Sequence, residues 1–243
     1  MLIDIKRKTI FVAGLKTAST SIEHLLSPHA DIRLTRSEWG KHDSVAQIQA
    51  KFDWLFLEEP WETFFAWAVI RDPIDMMRSL YWSHKREDFA AEPTLYTGGM
   101  DFDTFLDEWT ELNSDQCRPQ SDRFMTAQGR YGLDLLLPYD MLHDALPLVA
   151  PRYGLREILL PRMNVSAQVA ESADAPDRTE ATSGTVGHSD TSRGCPDQEV
   201  TKRIEARFHR DVALLKHARN HVTHLLDKMA EDMETNRDAP EGP

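Results

Sequence analysis

At 243 residues, with a hydrophobic content of 41% and six tryptophans, the chain is long enough to bury one sizeable core. Its formal net charge of −12 argues against a dedicated nucleic-acid binder and against a long polyanionic partner, unless a local basic groove overrides the global sign. Two cysteines, Cys117 and Cys195, are too few for a disulfide scaffold, and no apolar run reaches transmembrane length, so a cytoplasmic chain without a membrane partner is expected.

The N-terminal stretch MLIDIKRKTIFVAG shows no signal peptide or anchor and runs directly into a strand over Thr9 to Ala13. The strand breaks into a Gly14-Leu15-Lys16-Thr17 turn, followed by a hydroxyl-rich helix start over residues 18 to 27. That layout suits an anion. N–H groups at a fresh helix N-terminus are unpaired, and the helix dipole favours negative charge there. Lys16 adds a cation, and Thr17, Ser19, Thr20 and Ser21 add hydroxyls, with Ala18 between them. The Walker pattern does not fit. It needs a terminal Gly-Lys-Ser/Thr so that the hydroxyl reaches magnesium, whereas Lys16 stands at the front of the loop with no Gly-Lys pair.

Residues 30 to 41 are a polar connection with a short strand at Ile32 to Leu34. A helix over 43 to 52 follows, capped by Asp43 or Ser44, with Val45, Ile48 and Phe52 as its apolar stripe. The apolar run Trp54 to Leu57 ends at Glu58 and Glu59. A buried strand over 65 to 70 ends at Arg71, and Asp72-Pro73 opens a helix over 74 to 86 with Met76, Met77, Leu80 and Tyr81 on one side. Open α/β sheets bind ligands at the carboxyl ends of their strands, where Arg71 stands. Ser79 lies about two turns into the helix, within reach of a further phosphate.

Residues 88 to 101 are loop-like, and Phe102 to Leu112 is an amphipathic helix. Gln120 to Met125 can line an acceptor side. Leu133 to Leu137 is a strand, and 140 to 153 is a helix interrupted by Pro147. Residues 166 to 196 are poor in large apolar residues and read as a mobile loop or lid. Gln198 to Met229 is helical, and 231 to 243 is a disordered tail. His217, His221 and His224 share one face of that helix, but the Glu of a HExxH helix is missing, so a solvated face outweighs a zinc site and no metal is expected. Alternating strands and helices predict a single α/β domain over 1–230, with helices flanking a parallel sheet.

Lys16-Thr17-Ala18-Ser19-Thr20-Ser21 resembles the 5′-phosphosulfate loop of sulfotransferases, closest to the carbohydrate, heparan sulfate 2-O-sulfotransferase-like branch and related bacterial proteins. Arg71-Asp72-Pro73 with Ser79-Leu80-Tyr81 resembles the family's 3′-phosphate motif. Leu160-Pro161-Arg162 with Asn164-Val165-Ser166 is similar to an element of bacterial members, and Arg193-Gly194 to a basic-glycine loop of cytosolic ones. The resemblance implies a three-layer P-loop NTPase-like fold and 3′-phosphoadenosine 5′-phosphosulfate (PAPS) as donor, with 3′-phosphoadenosine 5′-phosphate (PAP) as product. A hydroxyl or amine of a sugar or small molecule would be the acceptor. Lys16 would stabilise the leaving phosphate, and Arg71 and Ser79 would bind the 3′-phosphate. His42, between the two motifs, is the expected general base, since a histidine near its ordinary pKa suits that task. Glu58 and Glu59 are the alternatives. Two other readings stay open: an ATP-dependent P-loop kinase-like enzyme, and a family member that binds the nucleotide without turning it over.

Overall fold

The computed structural model describes residues 1–155, 158, 160 and 197–237. Its framework is a five-stranded sheet: β1 (Leu2–Asp4), β2 (Thr9–Val12), β3 (Ile32–Arg33), β4 (Phe65–Ile70) and β5 (Leu135–Pro138), in the order β3-β1-β2-β4-β5. The sheet is mixed, which corrects the expected parallel one. The pairs β2–β4 and β4–β5 are parallel, while β1 runs antiparallel to both β2 and β3. The reason is local. A tight turn, with Lys8 at φ 52°, folds Leu2–Asp4 back onto β2, and strands joined by so short a turn can only pair antiparallel.

Alternation along the strands builds a core on each face. Ile10, Val12, Ala66, Ala68, Ile70 and Leu136 point to α2 (Val45–Lys51) and α3 (Asp53–Glu58), which contribute Val45, Ile48 and Leu55. Phe11, Ala13, Trp67, Val69, Leu135 and Leu137 point to α1 (Ser19–Leu26), which contributes Ile22 and Leu26. Trp67 is fully buried and donates its indole N–H to the Tyr153 hydroxyl at 2.9 Å. A third cluster joins Met76, Met77, Leu80 and Tyr81 of α4 (Pro73–His84) to Phe105 and Trp109. Those two lie in a π-helical stretch between α5 (Phe102–Thr104) and α6 (Thr110–Leu112).

The capping signals locate several boundaries. Ser44 forms a reciprocal capping box with Gln47 at the start of α2. Asp72 accepts from the Ile74 and Asp75 N–H groups, and Pro73 opens α4. The segment expected as one helix and an apolar run is two helices, because the backbone departs from helical ψ at Phe52. Residues 140 to 153 are not one helix but α8 (Leu142–Ala145) and short 3₁₀ turns, since Pro147 and Pro151 each remove an N–H donor.

After α7 (Gln120–Arg123) and β5, the described chain resumes with α9 (Gln198–Arg207) and α10 (His209–Arg237), which divide at Phe208 what reads as one helix. Leu215 and Ala218 of α10 enter one core and Val222 the other, so this helix straddles the β5 edge and covers it. It continues past residue 231, where the tail was expected. The proposed lid at 166–196, Pro161-Arg162, Asn164-Val165-Ser166, Arg193-Gly194, Cys195 and residues 238–243 lie outside the described residues. No described helix is long and apolar enough to cross a membrane.

Candidate active site

Because β2 and β4 are parallel neighbours, the chain leaves both on the same side of the sheet. The loop after β2 and the turn after β4 are therefore adjacent, and the two sequence motifs meet there. Gly14 lets the loop pass close to β4: a Cβ at that position would meet Thr17 Oγ1 at 2.8 Å and the Val69 carbonyl at 3.3 Å. Lys16 and Ala18 both adopt left-handed backbone, at φ 60° and 57°. Non-glycine residues in that region are strained and cluster at ligand clamps. Ala18 is also the N-cap of α1 and supplies no side-chain cap, so the first N–H groups of the helix are left for another acceptor.

The side chains of the loop divide by role. Thr17 is fully buried, and its Oγ1 has no hydrogen-bond partner among the described residues. Ser19 and Ser21 are buried with small remaining exposure. Thr20 Oγ1 accepts from Lys41 Nζ at 3.1 Å, and Lys41 also pairs with buried Glu23 at 2.9 Å. The N-terminal amine reaches the same Glu23 at 2.7 Å.

Arg71 closes the site from the β4 side. Its Nη1 donates to the Lys16 carbonyl at 3.0 Å, and its guanidinium carbon lies 4.3 Å from the Tyr139 ring centroid. The register explains the second contact. Ile70 pairs with Pro138, so the next residues of the two strands, Arg71 and Tyr139, stand side by side. Among the described residues, Arg71 Nε is buried without a partner and no carboxylate pairs with this arginine. Asp72 caps α4 instead. Ser79 is half-buried on α4, and its hydroxyl makes no hydrogen bond among the described residues.

His42 also comes to the loop. Its Nδ1 lies 3.0 Å from the Ala13 carbonyl. A carbonyl only accepts, so Nδ1 carries the proton and Nε2 keeps its lone pair. Arg123 Nη1 donates to the His42 carbonyl at 2.8 Å. The turn that delivers His42 passes through Gly40 at φ 88°, where a Cβ would run into Asp43 and Lys51.

The field at the site is positive although the whole chain is acidic. Burial and the neighbouring Arg71 and Arg86 bring the Lys16 amine down to about 8. Burial brings His42 down to about 4, against the raising effect of its bond to Ala13, with Lys41, the N-terminal amine and Arg123 adding to the depression. Every charged group that perturbs these two residues is a cation. Glu23 compensates Lys41 and the N-terminal amine, whereas Lys16 and Arg71 pair with no carboxylate among the described residues, which suits them to a multiply charged anion.

Other candidates fall elsewhere. Glu59 pairs with Lys8, which precedes β2, so it stands at the strand end opposite the loop; Glu58 is its exposed neighbour at the end of α3. His217 and His221 line a cavity of about 360 Å³ with Tyr131, Asp134 and Leu136, without His224. Among the described residues no group of three or more His, Cys, Asp or Glu is arranged to hold a metal ion. Burial raises the Cys117 thiol to about 11, which leaves it unreactive.

Sequence reasoning gave no role to Lys41, Tyr139 or Asp211. None of the three carries a local signal, and Tyr139 is reached only through the register that pairs Ile70 with Pro138. Gln120, expected on an acceptor side, instead brackets the Arg71 backbone. Arg71 N–H donates to its Oε1 at 3.0 Å, and its Nε2 donates to the Arg71 carbonyl at 2.7 Å. No family model matches the chain, and neither the curated proteins nor the solved structures contain a significant match.

Proposed function

We propose that this chain is a sulfotransferase of the P-loop NTPase-like, three-layer type. In this reading it moves a sulfuryl group from PAPS to a hydroxyl or amine of a sugar or other small acceptor. The observation that carries the reading is the pairing of two anion-ready turns on adjacent parallel strands. One offers Lys16, an uncapped helix start and the unpartnered Thr17 hydroxyl; the other offers Arg71 with an unpartnered Nε. A donor with phosphate at both its 5′ and 3′ positions fits two such turns better than a nucleotide phosphorylated at one end.

PAPS supplies an activated sulfuryl group on a phosphate leaving group. The protein's share is positioning and charge. Lys16 and the α1 N–H groups stabilise the charge that builds on the leaving phosphate, and they count most where that charge is largest. Arg71 and Ser79 hold the 3′-phosphate, and the planar Arg fork makes a lysine a poor substitute. His42 Nε2 takes the acceptor proton. Its pKa of about 4, well below the ordinary value expected from the sequence, keeps it neutral but makes it a weak base in the free protein; a bound polyanion offsets the surrounding cations and raises its basicity.

The test is transfer of label from sulfuryl-labelled PAPS to a panel of hydroxylated acceptors. Label should appear in an acceptor with the native protein and fall by about 10²- to 10⁴-fold with His42→Ala. Label that moves equally well with His42→Ala would refute the assignment of the base. Binding of PAP with no turnover on any acceptor would favour a nucleotide-binding member without activity.

A further inference from the structure

Asp211 has no place in the chemistry above, yet it is a fully buried carboxylate on α10. Burying a charge is costly unless it is well satisfied. Its Oδ2 accepts from the Gln120 backbone N–H at 2.7 Å and its Oδ1 from that of Ser121 at 2.8 Å. These are first-turn donors of α7, a helix of only four residues with no side-chain cap of its own. On the solvent side of the same junction, Arg210 pairs with Asp122 at 2.7 Å. Consecutive residues of α10 therefore clasp consecutive residues of α7.

The α7 segment is in turn the piece that both halves of the site lean on. The Gln120 side chain satisfies both the N–H and the carbonyl of Arg71. Arg123 of the same helix holds the His42 carbonyl. We infer that Asp211 and Gln120 are positioning residues for the donor. The buried carboxylate fixes the first turn of α7, and α7 fixes the backbone from which Arg71 reaches the 3′-phosphate. Without this brace the Arg71 backbone loses both of its side-chain hydrogen bonds and is held from either side only by the sheet pairing of Ile70 and the Asp72 cap, so the guanidinium loses aim. The inference rests on the proposed donor, because it assigns Asp211 and Gln120 an effect on one particular phosphate.

The test compares PAP with adenosine 5′-phosphate, which lacks the 3′-phosphate, by calorimetric titration of the full chain. Asp211→Asn keeps the shape but turns one acceptor oxygen into a donor facing an N–H group. Gln120→Ala removes only the contact to Arg71, and it serves if Asp211→Asn fails to fold. Each variant is expected to weaken PAP by about tenfold, the loss of roughly one hydrogen bond's worth of ordering, and adenosine 5′-phosphate by less than about twofold. In an Arg71→Ala background, Gln120→Ala should add nothing. Equal weakening of both nucleotides, or of neither, overturns the positioning role while leaving the proposed donor standing. If the native protein itself does not prefer PAP to adenosine 5′-phosphate, the donor assignment fails and takes this inference with it.

Discussion

Arg71 donates to the Lys16 carbonyl through one nitrogen and keeps another unpartnered, so its guanidinium retains capacity for a phosphate. Arg71→Ala should cost about 10- to 100-fold in PAP affinity and little for adenosine 5′-phosphate, and equal losses by titration would discredit its role. Lys16 gives a pH test. Below its pKa of about 8 the amine is charged and attracts the donor; as pH climbs through 8 the charge is lost, so affinity falls. Lys16→Met should remove that alkaline limb from the affinity profile. His42 has the opposite placement. The free protein's kcat/KM should hold down to near pH 4, while the acid limb of kcat lies higher, because a bound anion raises the imidazole's pKa. Coincident limbs would mean that His42 does not sense the donor. Folding follows the same group. Between pH 6.5 and about 4 the unfolded chain protonates this histidine and the folded chain does not, so stability falls on acidification. A His42→Ala variant should show a shallower acid slope in chemical denaturation.

At the scale of elements, the loop from Gly14 to Ala18 and the helix after it were legible because their signals are local. A strand, a glycine, a lysine and a run of hydroxyls occur in sequence order, and the backbone between them needs only the room that Gly14 leaves. Asp72-Pro73 and Ser44-Gln47 were legible for the same reason, as each cap is written within four residues. Gly14→Ala should therefore perturb binding more than folding, since the clash falls on Thr17 in the loop. Normal PAP affinity in that variant would argue against the loop as the 5′ site. What the sequence left hidden depends on register. The contact of Tyr139 with Arg71 follows only once Ile70 is known to pair with Pro138. The removal of Glu59 to the far strand end follows only once α3 is a helix that returns the chain to Lys8.

Across the molecule, the antiparallel hairpin at the N-terminus was missed because residues 1 to 8 carry four charged side chains in a short span and mask the buried Leu2 and Ile3. The role of α10 was half visible. Its apolar spacing marked it as packing, but a buried Asp211 at the start of that helix reads in sequence as an ordinary first-turn acid. The two-sided core makes Trp67 the central strut, with its ring 4.6 Å from Phe11 and its indole N–H bonded to Tyr153. Trp67→Ala should cost about 3 to 5 kcal/mol of folding stability, read by chemical denaturation, and a loss under about 1 kcal/mol would contradict this packing.

The donor assignment is decided most directly by one titration. PAP, adenosine 5′-phosphate and ATP are each added to the protein calorimetrically, with and without magnesium. The two anion-ready turns predict that PAP binds most tightly and that magnesium is not needed for it. Magnesium-dependent ATP binding with PAP no tighter than adenosine 5′-phosphate would contradict a site built for phosphates at both ends of one adenosine.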